Sequence, residues 1–137
     1  MPLKVMRLAI LVGDDYEDQE LWYPKYRLIE AGATVVMAGQ QADYTYRSKH
    51  GYPATSDASI AKLKAKDFQG VVIPGGWMPD RLRRDPKVLA FVRDLAGHDK
   101  LVAAEHCIRD RVADFVGMTF GNRLRSEEIT CHELPRS

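Results

Sequence analysis

The sequence predicts a parallel α/β fold, because short buried-strand runs alternate with amphipathic segments and each run breaks into a turn rich in glycine or acid. Three runs carry the prediction: Leu8-Ala9-Ile10-Leu11-Val12, Gly70-Val71-Val72-Ile73-Pro74 and Leu101-Val102-Ala103-Ala104. Near-continuous apolar strands are what a sheet covered on both faces requires. Strands that alternate with helices imply right-handed crossovers between parallel neighbours.

Taken in order, residues 4–12 read as the first strand. A helix is expected from about Glu17 to Ala31, with Leu21, the aliphatic stem of Lys25, Leu28 and Ile29 inward and Gly32 as its stop. Pro24 should remove one hydrogen bond and kink it. Ala33 to Ala38 is a second strand. The stretch from Gln40 to Thr55, with Tyr44, Tyr46, His50, Gly51 and Tyr52, reads as an irregular arm or hairpin. Asp57 is placed to cap a short helix that turns Ile60, Leu63 and Phe68 inward.

After the Val71–Pro74 strand comes a helix with clear punctuation. Asp85 serves as N-cap, Pro86 occupies the first position, Val88, Leu89, Val92 and Leu95 form one stripe, and Gly97 ends it. Leu101–Ala104 is the next strand. Ile108, Val112, Phe115 and Val116 then repeat at helical spacing up to Gly117. Residues 1–117 are expected to form one α/β domain, and 118–137 a divergent tail, poorly ordered or docked.

A length of 137 residues with 45% hydrophobic content suits one domain with one core. Twenty basic and nineteen acidic residues are mixed along the chain, giving a net charge of +1, so nothing electrostatic favours nucleic acid or an anionic membrane as partner. No run has the length of a membrane span, and the N-terminus does not read as a signal peptide. The expected compartment is the cytoplasm, where Cys107 and Cys131 would be free thiols.

Ligands of doubly wound sheets bind at the carboxyl ends of the strands. That rule gathers Asp14 to Glu17, Gly75-Gly76 and Glu105 to Cys107 on one edge. Gly75 and Gly76 can offer bare amides to a developing oxyanion, or can simply make a tight turn. Cys107, at a strand–helix turn, can be a thiolate nucleophile activated by the helix N-terminus with His106 as proton partner, or a small buried hydrophobe. Glu17 can tune that thiol, or can favour the helix dipole as Asp14, Asp15 and Asp18 also can. His50 can be a ligand, a proton shuttle or an interface residue, whereas His98 and His132 read as surface. Trp22 and Trp77 flank the two site loops and can line a pocket or pack. No residue set has the spacing of a structural zinc site, and the glycines form no phosphate-binding fingerprint.

At these residues the chain resembles the DJ-1/PfpI family of the class I glutamine amidotransferase-like superfamily. The matching segments are Asp15-Tyr16-Glu17-Asp18-Gln19-Glu20-Leu21 with Tyr23-Pro24, then Lys49-His50-Gly51-Tyr52, then Val72-Ile73-Pro74-Gly75-Gly76 with Pro79-Asp80, then Val102-Ala103-Ala104. They run from the N-terminus to Ala104 and look nearest the intracellular-protease branch. The resemblance implies a flavodoxin-like three-layer sandwich with a mostly parallel sheet, here lacking the family's C-terminal elements after Gly117. It implies a cysteine hydrolase acting on peptide or glyoxal-adduct carbonyls, with Cys107 as nucleophile, Glu17 contacting it, His106 as proton carrier and Gly75-Gly76 as oxyanion hole. It implies no metal or organic cofactor, and assembly as a homo-oligomer through the arm.

The nucleophile elbow departs from the pattern. Where the family has Ala-Ala-x-Cys-His-Gly, this chain has Ala103-Ala104-Glu105-His106-Cys107-Ile108. Aligned without a gap, His106 takes the nucleophile position; with one extra residue, Cys107 does, and Gly117 then falls on the family's helix-ending glycine. The alternative function is therefore a catalytically inactive family member that acts as a stress-related binding, redox-sensing or oligomeric protein.

Overall fold

In the computed structural model, residues 5–104 are described. The helix expected over Ile108–Val116, the tail at 118–137 and both cysteines lie outside them. Five strands, β1 (Arg7–Leu11), β2 (Thr34–Gly39), β5 (Ala58–Ser59), β6 (Gly70–Ile73) and β7 (Leu101–Ala104), form one sheet in the order β5-β2-β1-β6-β7. Every pairing is parallel, with Ile10 opposite both Met37 and Val72, and Ile73 opposite Ala104. A separate antiparallel pair, β3 (Thr45–Arg47) and β4 (Pro53–Thr55), makes the arm a hairpin.

The centre of the sheet explains its composition. Leu8 to Leu11, Met37, Ala38, Val71, Val72 and Ile73 are buried, as strands sandwiched between two layers must be. Helix α1 (Asp18–Glu30) joins β1 to β2, and α3 (Pro86–Gly97) joins β6 to β7. These two crossovers run in opposite directions across the sheet, so a common right hand puts the helices on opposite faces. Two single 3₁₀ turns, Ile60–Lys62 and Ala65–Asp67, pack with α3 on its side. The result is the three-layer, flavodoxin-like α/β arrangement that the sequence implies.

Several elements differ in detail. Asp57 caps no helix: its carboxylate accepts from the Met37 N–H at 2.8 Å, and its own N–H donates to Met37 O at 2.7 Å. Those two bonds extend the β2 edge and make Ala58–Ser59 a short strand, with 3₁₀ turns following. Ile60 and Phe68 are buried all the same. Helix α1 keeps Leu21 inward, but Ile29 is 47% exposed. Eight residues along a helix turn the side chain about 80° from Leu21, whereas seven leave Leu28 almost above it. A short helix α2 (Met78–Leu82), opened by Pro79, was not legible in the pattern. Helix α3 starts as expected, with Asp85 accepting from the Lys87 N–H at 2.9 Å; Val88, Val92 and Leu95 of the expected stripe are buried, but Phe91 joins them in the core and Leu89 is only half-buried.

Candidate functional site

From β1 the chain leads left to β2, and from β6 it leads right to β7, so the strand order reverses between β1 and β6. Sheets of this kind open a crevice at the carboxyl ends of such a pair. Two loops meet there. Residues 13–17 leave β1, residues 74–77 leave β6, and they join through an antiparallel bridge between Tyr16 and Gly76. Glu17 N–H donates to Gly75 O at 3.2 Å, and Trp77 N–H donates to Asp15 O at 3.1 Å.

Such close approach dictates glycine at 76. Its φ is +83°, and an added Cβ would lie 2.5 Å from Asp15 O and 2.9 Å from Glu17 N. Only a residue without a side chain lets the two loops touch. An ion pair between Arg81 and Asp15, at 2.5 Å, ties α2 to the same loop.

The hairpin contributes a third loop. Asp15 N–H donates to Arg47 O at 2.8 Å, and Lys49 N–H donates to Tyr16 O at 3.1 Å. Tyr16 is fully buried beneath it; its hydroxyl donates to Tyr52 O at 2.8 Å and accepts from Trp22 Nε1 at 3.3 Å. Burial pushes the Tyr16 phenol above its ordinary pKa. Trp22 also stacks on Tyr26 and meets Tyr52 edge-on, so it packs rather than lining open space. Trp77, on the loop after β6, is 71% exposed.

The acidic cluster at the start of α1 is divided by burial. Glu17 pairs with Lys49, and that carboxylate raises the lysine's pKa, first through their hydrogen bond. Asp18 Oδ2 lies 2.8 Å from His50 Nδ1. Glu20 alone of these is buried, at 7% exposure, and its carboxylate accepts the Gly75 N–H at 2.8 Å. Sequence reasoning singled out Glu17 and passed over Glu20. A usable signal was present: Glu20 adjoins Leu21, on the side of the helix that must face the sheet.

Of the two glycine amides expected to hold an oxyanion, the Gly75 N–H is thus engaged by Glu20. The Gly76 N–H donates to no group among the described residues. Glu17, Gly75 and Gly76 are brought together. Cys107 and His106 lie outside the described residues, but the chain leaves β7 at Ala104, opposite Ile73 and two residues before Gly75. Among the described residues no cluster of His, Cys, Asp or Glu is arranged to hold a metal ion. No described helix is long and apolar enough to cross a membrane.

A doubly wound parallel sheet with a buried glutamate clamped at its switch point defines the class of molecule, and comparison with known proteins supplies the family. The chain belongs to the DJ-1/PfpI family, whose model matches residues 6–105. It is 38% identical over 99 residues to an uncharacterized protein of Archaeoglobus fulgidus, covering 72% of this chain and 58% of that one. It is 34% identical over 99 residues to a protein of Pyrococcus horikoshii named a deglycase, covering 72% and 59% respectively. Among solved structures, a two-domain protein of Anabaena variabilis with DJ-1/ThiJ/PfpI-like and ferritin-like domains matches with TM-score 0.75 and 33% identity, over 80% of this chain and 32% of that one. The chain thus spans less than two thirds of each of these relatives.

Proposed function

We propose that the crevice is the site of a cysteine hydrolase acting on the carbonyl carbon of a peptide or a glyoxal adduct. The observation that carries this reading is Glu20, buried at the carboxyl edge of the sheet and held by the Gly75 amide. A carboxyl group is buried only where hydrogen bonds or pairing offset its desolvation, and strand ends beside a switch point are where such groups act. The relative from Pyrococcus horikoshii that is named a deglycase supports the glyoxal-adduct branch.

In this mechanism the Cys107 thiolate adds to the carbonyl carbon, and the π pair moves onto oxygen. The Gly76 N–H donates to that oxyanion. Glu20 shares a hydrogen bond with the thiol and so tunes its ionisation, while Glu17 and Lys49 wall the crevice. With a peptide the C–N bond then breaks as the amine takes a proton, and water hydrolyses the thioester. His106, next to the thiol in sequence, takes its proton as the thiolate forms. No metal or organic cofactor takes part. The compartment is cytoplasmic, and the molecule works as a homo-oligomer; exposed Tyr23, Tyr26 and Tyr52 near Trp22 supply an apolar face suited to a second copy.

The second reading, an inactive family member with a binding, redox-sensing or stress role, is favoured by one observation: Glu105-His106-Cys107-Ile108 departs from the family's elbow. Turnover of methylglyoxal and of an unstructured peptide by the wild type and by Cys107→Ala decides between them. Loss of turnover in the variant supports the hydrolase; equal rates rule out thiol chemistry.

A further inference from the structure

Beside the crevice sits a second pair of proton-carrying groups that the mechanism above does not use. Asp18 is the first residue of α1, where the helix N-terminus favours a carboxylate. Its Oδ2 lies 2.8 Å from His50 Nδ1, while its Oδ1 is buried with no hydrogen-bond partner among the described residues.

The turn that carries His50 is held in several ways at once. Buried Ser48 accepts from the His50 N–H at 3.1 Å and from the Tyr52 N–H at 3.0 Å through its hydroxyl, and its carbonyl accepts from the Gly51 N–H at 2.9 Å. The backbone under the ring is therefore fixed, yet the side chain is 65% exposed. When the ring is neutral and donates Nδ1–H to Asp18, the Nε2 lone pair is free to take a proton.

We infer that Asp18 and His50 form a carboxylate–imidazole dyad whose Nε2 carries protons for the reaction in the neighbouring crevice, a role that rests on the hydrolase reading. The pair belongs to the same three loops: Glu17, the residue before Asp18, bonds Gly75 O, and Lys49, the residue before His50, bonds Tyr16 O. Asp18 contacts the ring; the charged groups on the segments that meet it are Glu17 at the entry to α1, Lys49 on the turn, Arg47 at the end of β3, and Asp14, which accepts from the Arg47 N–H. Glu17 and Lys49 neutralise each other, which leaves Asp18 as the partner that orients the ring.

The proton balance closes over one turnover. As the peptide C–N bond breaks, imidazolium gives its Nε2 proton, directly or through one water, to the leaving nitrogen. Neutral imidazole then takes a proton from the water whose oxygen bonds to the thioester carbon. The C–S bond breaks, Cys107 leaves as thiolate, and amide plus water have become acid plus amine.

His98 supplies an internal control, because its Nδ1 lies 2.7 Å from the Asp94 carbonyl: the same tautomer with no carboxylate behind it. The test joins residue-resolved carbethoxylation by diethyl pyrocarbonate, in wild type and Asp18→Asn, with the pH profile of peptide turnover by wild type and His50→Gln. His50 should label several-fold faster than His98 in the wild type and no faster in Asp18→Asn. His50→Gln should lower kcat by about 10²-fold with KM held, and flatten the profile near neutral pH. Equal labelling of the two histidines in the wild type overturns the dyad. So does a His50→Gln enzyme with wild-type kcat and profile whose turnover still requires Cys107. Turnover indifferent to Cys107→Ala overturns the hydrolase reading and this inference with it; the labelling rates, measured without substrate, tell that failure from a failure of the dyad.

Discussion

Glu20 and Gly75 stand 55 residues apart in the chain and share a buried hydrogen bond of 2.8 Å. That bond ties the first turn of α1 to the loop after β6. Glu20→Ala leaves the Gly75 N–H buried without an acceptor, a loss of about 1–3 kcal/mol. Glu20→Gln keeps an acceptor oxygen and should lose less. Urea unfolding of both variants checks the order.

Gly76 and Gly51 share a positive φ of +83° but not their surroundings. An alanine Cβ at 76 meets Asp15 O at 2.5 Å, whereas one at 51 meets nothing within 4 Å. Gly76→Ala should therefore cost about 3 kcal/mol, from strain together with forced separation of the two loops. Gly51→Ala should cost about 1 kcal/mol, from conformation alone. Thermal unfolding compares them, and equal losses would contradict the tight approach.

How much of this was readable beforehand depends on how local each cause is. Strands β1, β6 and β7 and helix α3 announce themselves, because their apolar spacing and the Asp85-Pro86 start lie within a few residues. Strand β5 has no such signature; two residues are a strand only because Asp57 bonds Met37 on β2. Helix α2 is five residues long, too short for a period to show. At the site, the loops after β1 and β6 were legible from their glycines and acids. The separation of Glu20 from Glu17 and Asp18 left only one trace, its place beside Leu21 on the sheet-facing side of α1, since all three are carboxylates within one turn and tertiary burial is what divides them.

Tyr16 links the crevice to alkaline stability. Burial raises its pKa above 10.0, so the protonated phenol is the form the fold favours. Its stabilising contribution is complete below pH 10 and is lost as pH climbs through the folded-state value. Tyr16→Phe removes the bonds to Tyr52 O and Trp22 Nε1 and should cost about 1–3 kcal/mol at pH 7. Denaturant titrations above pH 10 should show the gap from wild type narrowing.

Asp85 behaves in the opposite sense. Its pKa is lowered below 3.8, first by the hydrogen bond from Gln40, against an opposing effect of burial that outweighs the further lowering by the Lys87 N–H it caps. The contribution is present above pH 3.8 and lost as pH falls through the folded-state value. Asp85→Ala should cost about 1 kcal/mol at pH 7, and the gap from wild type should narrow as pH falls below 3.8, as followed by thermal melts across that range.

The central claim is that a thiol and the Glu20 carboxyl meet in the crevice beside Gly76. Its most direct test is the pH dependence of iodoacetamide labelling at Cys107, resolved by mass spectrometry, in the wild type and Glu20→Gln. The wild-type midpoint should fall well below the ordinary cysteine value of about 8.5 and be displaced by the Glu20 substitution. A midpoint near that ordinary value, unchanged in Glu20→Gln, would contradict it.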